Sequence, residues 1–202
     1  DKNESYIYQG DDKNYYEKNT NNEIKLVEKV PFAIPNNWVW QYLQNIVEIN
    51  PINKLPDDTN VGFIPMNLIE AQWSNQFSYI KKLWKQVNRG FTHVSNNDII
   101  FAKITPCFQN RKSAILDNLP SGYGAATTEV HVLRNHSLFN IKYLFYFIKT
   151  EYFVQYGIKH FTGTAGQQRF GTKALKDTYI PLPPLADQQR IVNKIKRLFN
   201  VL

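Results

Sequence analysis

One cysteine, Cys107, stands among 202 residues. A lone thiol cannot build an internal disulfide framework, and it cannot supply a cysteine-rich zinc site. Histidine is nearly as scarce. His93, His131, His136 and His160 are scattered, with no pair at helical i, i+4 spacing and no His-Glu-x-x-His, so no metal site is expected. No apolar run approaches the roughly 18 residues a membrane span needs; the longest aromatic–aliphatic stretch, Tyr143 to Ile148, ends at Lys149. The start, Asp1-Lys2-Asn3-Glu4, has no apolar stretch behind it, so no secretory leader is expected. What is present, 43% hydrophobic and 14% aromatic residues, suffices to bury a core. The expectation is one soluble, cytoplasmic domain.

Charge is unevenly placed. The chain carries 24 Lys and Arg against 17 Asp and Glu, a net charge of +7. Residues 1–30 hold seven acids and five lysines, which leaves 19 basic and ten acidic residues for the remainder. Lys81 to Lys112 contains seven basic residues (Lys81, Lys82, Lys85, Arg89, Lys103, Arg111, Lys112) and one acid, Asp98. Lys159 to Lys176 has four basic residues and no acid. Such clusters suit a polyanion, because each neutralised phosphate releases condensed counterions. A basic surface that merely aids solubility has the same composition.

Residues 1–30 have the composition of a polar linker, rich in Asn, Asp, Lys and Glu, with turn chemistry at Asn19-Thr20-Asn21-Asn22. Pro31 and Pro35 bracket an extended entry segment. Strands are predicted over Trp38 to Leu43, Val61 to Met66, Asp98 to Thr105, Ser113 to Leu116, Thr127 to Leu133 and Thr178 to Leu182, from their β-branched and aromatic content. Pro65 places the second at an edge or an end. Asn140 is a good N-cap for a helix whose face is marked by Ile141, Leu144, Phe145, Ile148 and Tyr152, with Gly157 near its end. A last helix begins at Leu185. Its Ile191, Ile195, Leu198 and Leu202 are spaced by four, three and four, the beginning of a coiled-coil seam.

Tests for catalysis fail. Gly166 to Lys173 has glycines and a lysine, but the order Gly171-Thr172-Lys173 misplaces the groups a phosphate loop needs. Pro56-Asp57-Asp58 followed by Glu70-Ala71-Gln72 has Gln72 where a nuclease pattern uses lysine, so turn acids are the better reading. Pro181-Leu182-Pro183-Pro184 lacks the polar residue with which an amino-methyltransferase holds a flipped base. Cys107 follows Pro106 with no histidine nearby in sequence. A binding module is favoured over an enzyme.

Six segments, taken in order, resemble the target recognition domain of the specificity subunit of type I restriction-modification enzymes. They are Pro31 to Trp40, Gly62 to Met66, Asp98 to Phe108, Thr128 to Leu133, Gly163 to Arg169 and Ile180 to Ile191. The last, Ile-Pro-Leu-Pro-Pro-Leu-Ala-Asp-Gln-Gln-Arg-Ile, is the most specific; its Asp187 stands where glutamate is commoner. The resemblance implies an α+β fold: a mixed, strongly twisted sheet scaffold with flanking helices, followed by the start of a long coiled-coil spacer helix. It divides the chain into a tail (1–30), a target recognition domain (31–184) and the spacer start (185–202). It implies no cofactor and no catalysis. The implied partners are double-stranded DNA, methyltransferase subunits, through them a restriction/translocase subunit, and a second spacer helix. The chain would be the C-terminal half of a longer subunit or a half-length subunit that dimerises. A protein-docking scaffold that uses its terminal helix (Arg190, Lys194, Lys196, Arg197) is the competing expectation.

Base reading needs donors and acceptors at groove depth. Gln109-Asn110-Arg111-Lys112, past a predicted strand end, and Gln167-Gln168-Arg169, in a glycine-flanked loop, have that composition. Lys81, Lys82, Lys85 and Arg89 suit phosphates, or else form a solvated helix face; Lys103 and Lys173 complete the expected DNA-binding set.

Overall fold

The computed structural model describes residues 5–28, 30–135 and 139–199. The chain opens as a meander of β1 (Ser5–Gln9), β2 (Tyr15–Asn19) and β3 (Ile24–Val27), followed by β4 (Val39–Tyr42), the helical turn α1 (Leu43–Ile46) and β5 (Val47–Ile49). Next come β6 (Asn60–Ile64), β7 (Ile80–Leu83), β8 (Thr92–Ser95), β9 (Ile99–Ala102), β10 (Ser113–Ile115), β11 (Tyr123–Ala126) and β12 (Val130–Asn135). Helices α2 (Ile141–Phe147) and α3 (Glu151–Lys159) lead to the short hairpin β13 (Phe161–Thr162) and β14 (Arg169–Phe170). Helix α4 (Thr172–Lys176), β15 (Tyr179–Leu182) and α5 (Leu185–Phe199) close the described chain.

These strands form three sheets and the hairpin rather than one continuous sheet. Two four-stranded sheets, in the orders β10-β9-β12-β5 and β7-β6-β11-β8, make the centre; β6 and β11 run parallel while the other pairs in these two sheets are antiparallel. The third sheet, β15-β4-β1-β2-β3, joins the two ends of the chain. The expectation of a polar linker over residues 1–30 is therefore corrected. Ile7 pairs with Trp40 in register and is buried with it, while Tyr6 and Tyr8 face outward, so β1 is an alternating strand hidden in polar composition. The Asp and Asn residues that suggested a tail make its turns. Asp12 accepts from the Asn14 amide (3.1 Å), and Asn19 from the amides of Asn21 and Glu23 (both 3.0 Å).

One further expectation is narrowed and another changes. Pro65 ends β6, which has neighbours on both sides, so it marks an end and not an edge. The helix predicted after Asn140 is two helices. Asn140 Oδ1 caps the first by accepting from the Lys142 amide, and Thr150 caps the second by accepting from the Phe153 amide. Gly157 does not end the second. A Cβ there would stand 2.2 Å from the Phe108 ring, so glycine lets α3 lie directly on that aromatic. Phe108 in turn packs on Phe101, Phe153, Phe161 and Phe170, and this cluster ties α3 and the hairpin to the central sheet.

The terminal helix packs back on its own domain. Val192 is buried, Gln188 donates to Pro183 O (2.9 Å) and accepts from the Asn140 amide (2.9 Å). Ile191 and Ile195 line an apolar groove of about 280 Å³ with Phe32, Trp38, Trp73 and Tyr146. The seam residue Leu202 lies outside the described residues.

Candidate nucleic-acid interface

Several of the expected DNA-binding side chains serve the scaffold. Arg111, with φ of 57°, donates through Nε to Lys149 O (2.9 Å) and pairs through Nη2 with Glu151 (2.5 Å). Lys112 Nζ donates to the carbonyls of Met66 (3.2 Å) and Ile69 (2.9 Å). Arg169 makes a two-pronged pair with Glu129 (2.8 and 2.9 Å), which holds that carboxyl below its usual pKa, and also donates to Gln167 O. A guanidinium so engaged is not free to present two donors to a guanine.

The residues beside them remain available. Gln109 and Asn110 are exposed, and among the described residues neither side chain has a hydrogen-bond partner. Their turn is locked from below. The Gln72 amide donates to Asn110 O (2.8 Å), and the buried Lys149 donates to the carbonyls of Gln72 (2.7 Å), Ser74 (3.0 Å) and Arg111 (3.3 Å). Burial first, then the nearby Arg111 charge, pushes the Lys149 pKa down to about 7. Sequence reading missed Lys149, because a lysine that ends an aromatic run looks like the solvated end of a helix.

Lys81, Lys82, Lys85 and Arg89 do not lie on a helix. Lys81 and Lys82 sit on β7, an edge strand; Lys81 is exposed and Lys82 half-buried. Lys85 lies in the following 3-10 turn, and Arg89 is exposed beyond it. Lysines on an edge also deter pairing with another sheet, so phosphate contact is not their sole physical rationale.

Lys103 is brought to Gln167, Gln168 and Arg169: Phe170 N donates to Lys103 O (2.9 Å) and Thr105 N to Gln168 O (3.0 Å). Lys173 is exposed at the start of the neighbouring α4. Lys103 also lines a cleft of about 440 Å³ between the two central sheets, whose opposite wall holds Asn88, Phe91 and Thr92 beside Arg89. Two surfaces thus emerge: the locked turn at Gln109 and Asn110, and the cleft at Lys103. Nothing in the residue spacing announced that the Arg89 and Lys103 segments would share a cleft.

His131 lies fully buried under that cleft. Burial drives its pKa down to about 4, so the ring is neutral; Nε2–H then donates to Phe170 O (2.8 Å) and Nδ1 accepts from Asn50 Nδ2 (3.3 Å). Asp98, the lone acid of the basic stretch, is buried and held by Arg134 through two bonds (2.9 and 2.8 Å). No group of three or more potential metal ligands occurs among the described residues.

The fold is shared with solved structures of type I specificity subunits. The HsdS subunit from Thermoanaerobacter tengcongensis superposes with a TM-score of 0.69 at 20% identity, over 86% of this chain and 45% of that one. A chain from a structure describing complex assembly and conformational transition of the type I R-M system gives 0.69 at 22%, over 84% and 44%. At the sequence level, the family model for the type I restriction modification DNA specificity domain matches residues 35–202. The chain belongs to that family. It is 42% identical over 176 residues to the EcoAI type I restriction enzyme specificity subunit of Escherichia coli and 37% identical over 173 residues to the EcoEI specificity subunit of the same organism. Those matches cover 86% and 85% of this chain but 30% and 29% of the relatives, so it spans under a third of their length.

Proposed function

We propose that this chain is a DNA-reading module of a type I specificity subunit, recognising one half of a bipartite double-stranded target without catalysis of its own. The 42% identity to the EcoAI specificity subunit carries this reading. Exposed Gln109 and Asn110 on a locked turn, and a basic, amide-bearing cleft at Lys103, supply the chemistry it needs. In this reading the module works in the cytoplasm with methyltransferase subunits and, through them, a restriction/translocase subunit. Helix α5 continues as a spacer that pairs with a second helix, and the apolar groove beside it suits such packing. Among the described residues no helix is long and apolar enough to cross a membrane.

Single-molecule methylome sequencing of the host, with and without the gene, tests the proposal. A two-part methylated motif should vanish when the gene is removed. An unchanged methylome in a host whose methyltransferase subunits are expressed would sink it.

A further inference from the structure

The loop joining β5 to β6 holds one apolar side chain out into water with unusual effort. Ile52 is 78% exposed, yet Pro51 and Asn53 on either side of it are buried. Exposure alone would mean little, since single apolar side chains are common on surfaces. The support beneath it is what distinguishes this one. Asn50 takes the left-handed conformation (φ 55°), donates its amide to Val132 O (2.9 Å) and accepts from the Val132 amide on its side-chain oxygen (2.9 Å). Its side-chain nitrogen meets the buried His131. Asn53 donates its amide to His93 Nδ1 (3.0 Å) and its side-chain NH₂ to Val94 O (2.9 Å), and it accepts from Arg134 Nη1 (3.0 Å), the arginine locked on Asp98. Polar bonds to both central sheets thus fix the loop, and none of them involves Ile52.

Ile52 stands at the mouth of the Lys103 cleft. Phe91, 39% exposed and edge-on to Phe63, lines the same cleft, and Asn88, Thr92 and Lys103 are among its polar lining. Arg89 and Lys54 are exposed next to these walls in sequence, and the Glu129 carboxylate near Lys103 is already paired with Arg169. A rigid apolar tip among amides, a hydroxyl and a lysine matches the edge of a base pair carrying a methyl group, flanked by phosphates. It matches a protein surface less well, because the cleft is polar and its unpaired side-chain charge is cationic.

We propose that this cleft is a base-contacting site, with Ile52 and Phe91 touching a thymine methyl group in the half-site and Lys103 holding an adjacent phosphate. This rests on the DNA-reading function proposed above and assigns part of the reading to a loop outside every segment that suggested it.

The test uses the full-length subunit assembled with its methyltransferase subunits, comparing wild type with Ile52→Ser. Duplexes carry the methylated motif from the wild-type methylome, the same motif with each thymine of this half-site replaced by uracil, or unrelated sequence. Failure of the wild-type complex to prefer its motif would strike the proposed function itself. With that preference in place, Ile52→Ser should assemble and melt like wild type, since the side chain is exposed. Its affinity for the motif should fall by about tenfold, the scale of one altered base contact, with binding to unrelated DNA unchanged. Uracil at one position should weaken wild type and leave Ile52→Ser indifferent. Unaltered motif affinity in the variant would overturn the site. So would lost assembly with intact DNA preference, which would make Ile52 a protein contact.

Discussion

At Lys149 an ammonium meets three carbonyl oxygens and the face of the Phe145 ring, 4.5 Å to its centroid, and among the described residues no carboxylate pairs with it. Its task is to hold down the turns that carry Gln72 and Gln109. Lys149→Met keeps the apolar stem and leaves the carbonyls unpaired, so it should cost about 2–4 kcal/mol. Urea unfolding should show a lower midpoint with an unchanged slope, and amide exchange should rise first over residues 71–75. His131 gives a pH signature. Its folded pKa of about 4 lies below the ordinary 6.5, so the unfolded chain takes up the proton first as pH falls. The neutral ring's contribution is complete above about pH 6.5 and is lost progressively down to about 4, by up to about 3 kcal/mol. Unfolding free energies from pH 7 to 4 should therefore fall less steeply in His131→Asn than in wild type; equal slopes would refute the assignment.

Among the elements, α3 is closely constrained by a neighbour. The Phe108 ring occupies the place a Cβ on Gly157 would take, and that ring is wedged among four other aromatics. Alanine normally favours a helix interior over glycine by about 1 kcal/mol. Here the clash reverses the sign, and Gly157→Ala should destabilise by about 1–3 kcal/mol. Adding Phe108→Leu should recover part of that loss relative to Phe108→Leu alone, which a double-mutant cycle of thermal or urea unfolding would show.

For the molecule as a whole, the basic excess divides into charges that build the domain and charges left exposed at the surface. Arg111, Lys112, Arg169 and Arg134 are bonded internally; Lys81, Lys85, Arg89 and Lys173 are exposed. Replacing Lys81, Lys82 and Lys85 by Ala should weaken DNA binding evenly across sequences and flatten the salt dependence by roughly 0.9 log unit per lost phosphate contact. Stability should hardly change. Arg111→Ala, in contrast, should loosen the Lys149 turn, and any shift in the methylated half-site should come with a lowered melting temperature. Titrations at two salt concentrations, set beside melting curves, separate the two kinds of cation.

Local chemistry made part of this legible along the chain: the β9 and β12 strands from their apolar runs, the Asn140 cap, the break at Pro183-Pro184 before α5, and the six family segments. Each is set by side chains acting on their own few neighbours. The meander at residues 5–27 was not legible, because its composition is polar and its one buried aliphatic side chain, Ile7, gains a partner when β1 lies against β4, far along the chain. Nor could spacing show that Arg111 and Arg169 would find Glu151 and Glu129, about forty residues away in each case, or that Lys149 would fold under two loops. The sequence settled how many cations there are and where along the chain they cluster. Which of them remain free is decided by long-range pairing, since a charge becomes available to a ligand only when the fold leaves it without an internal partner.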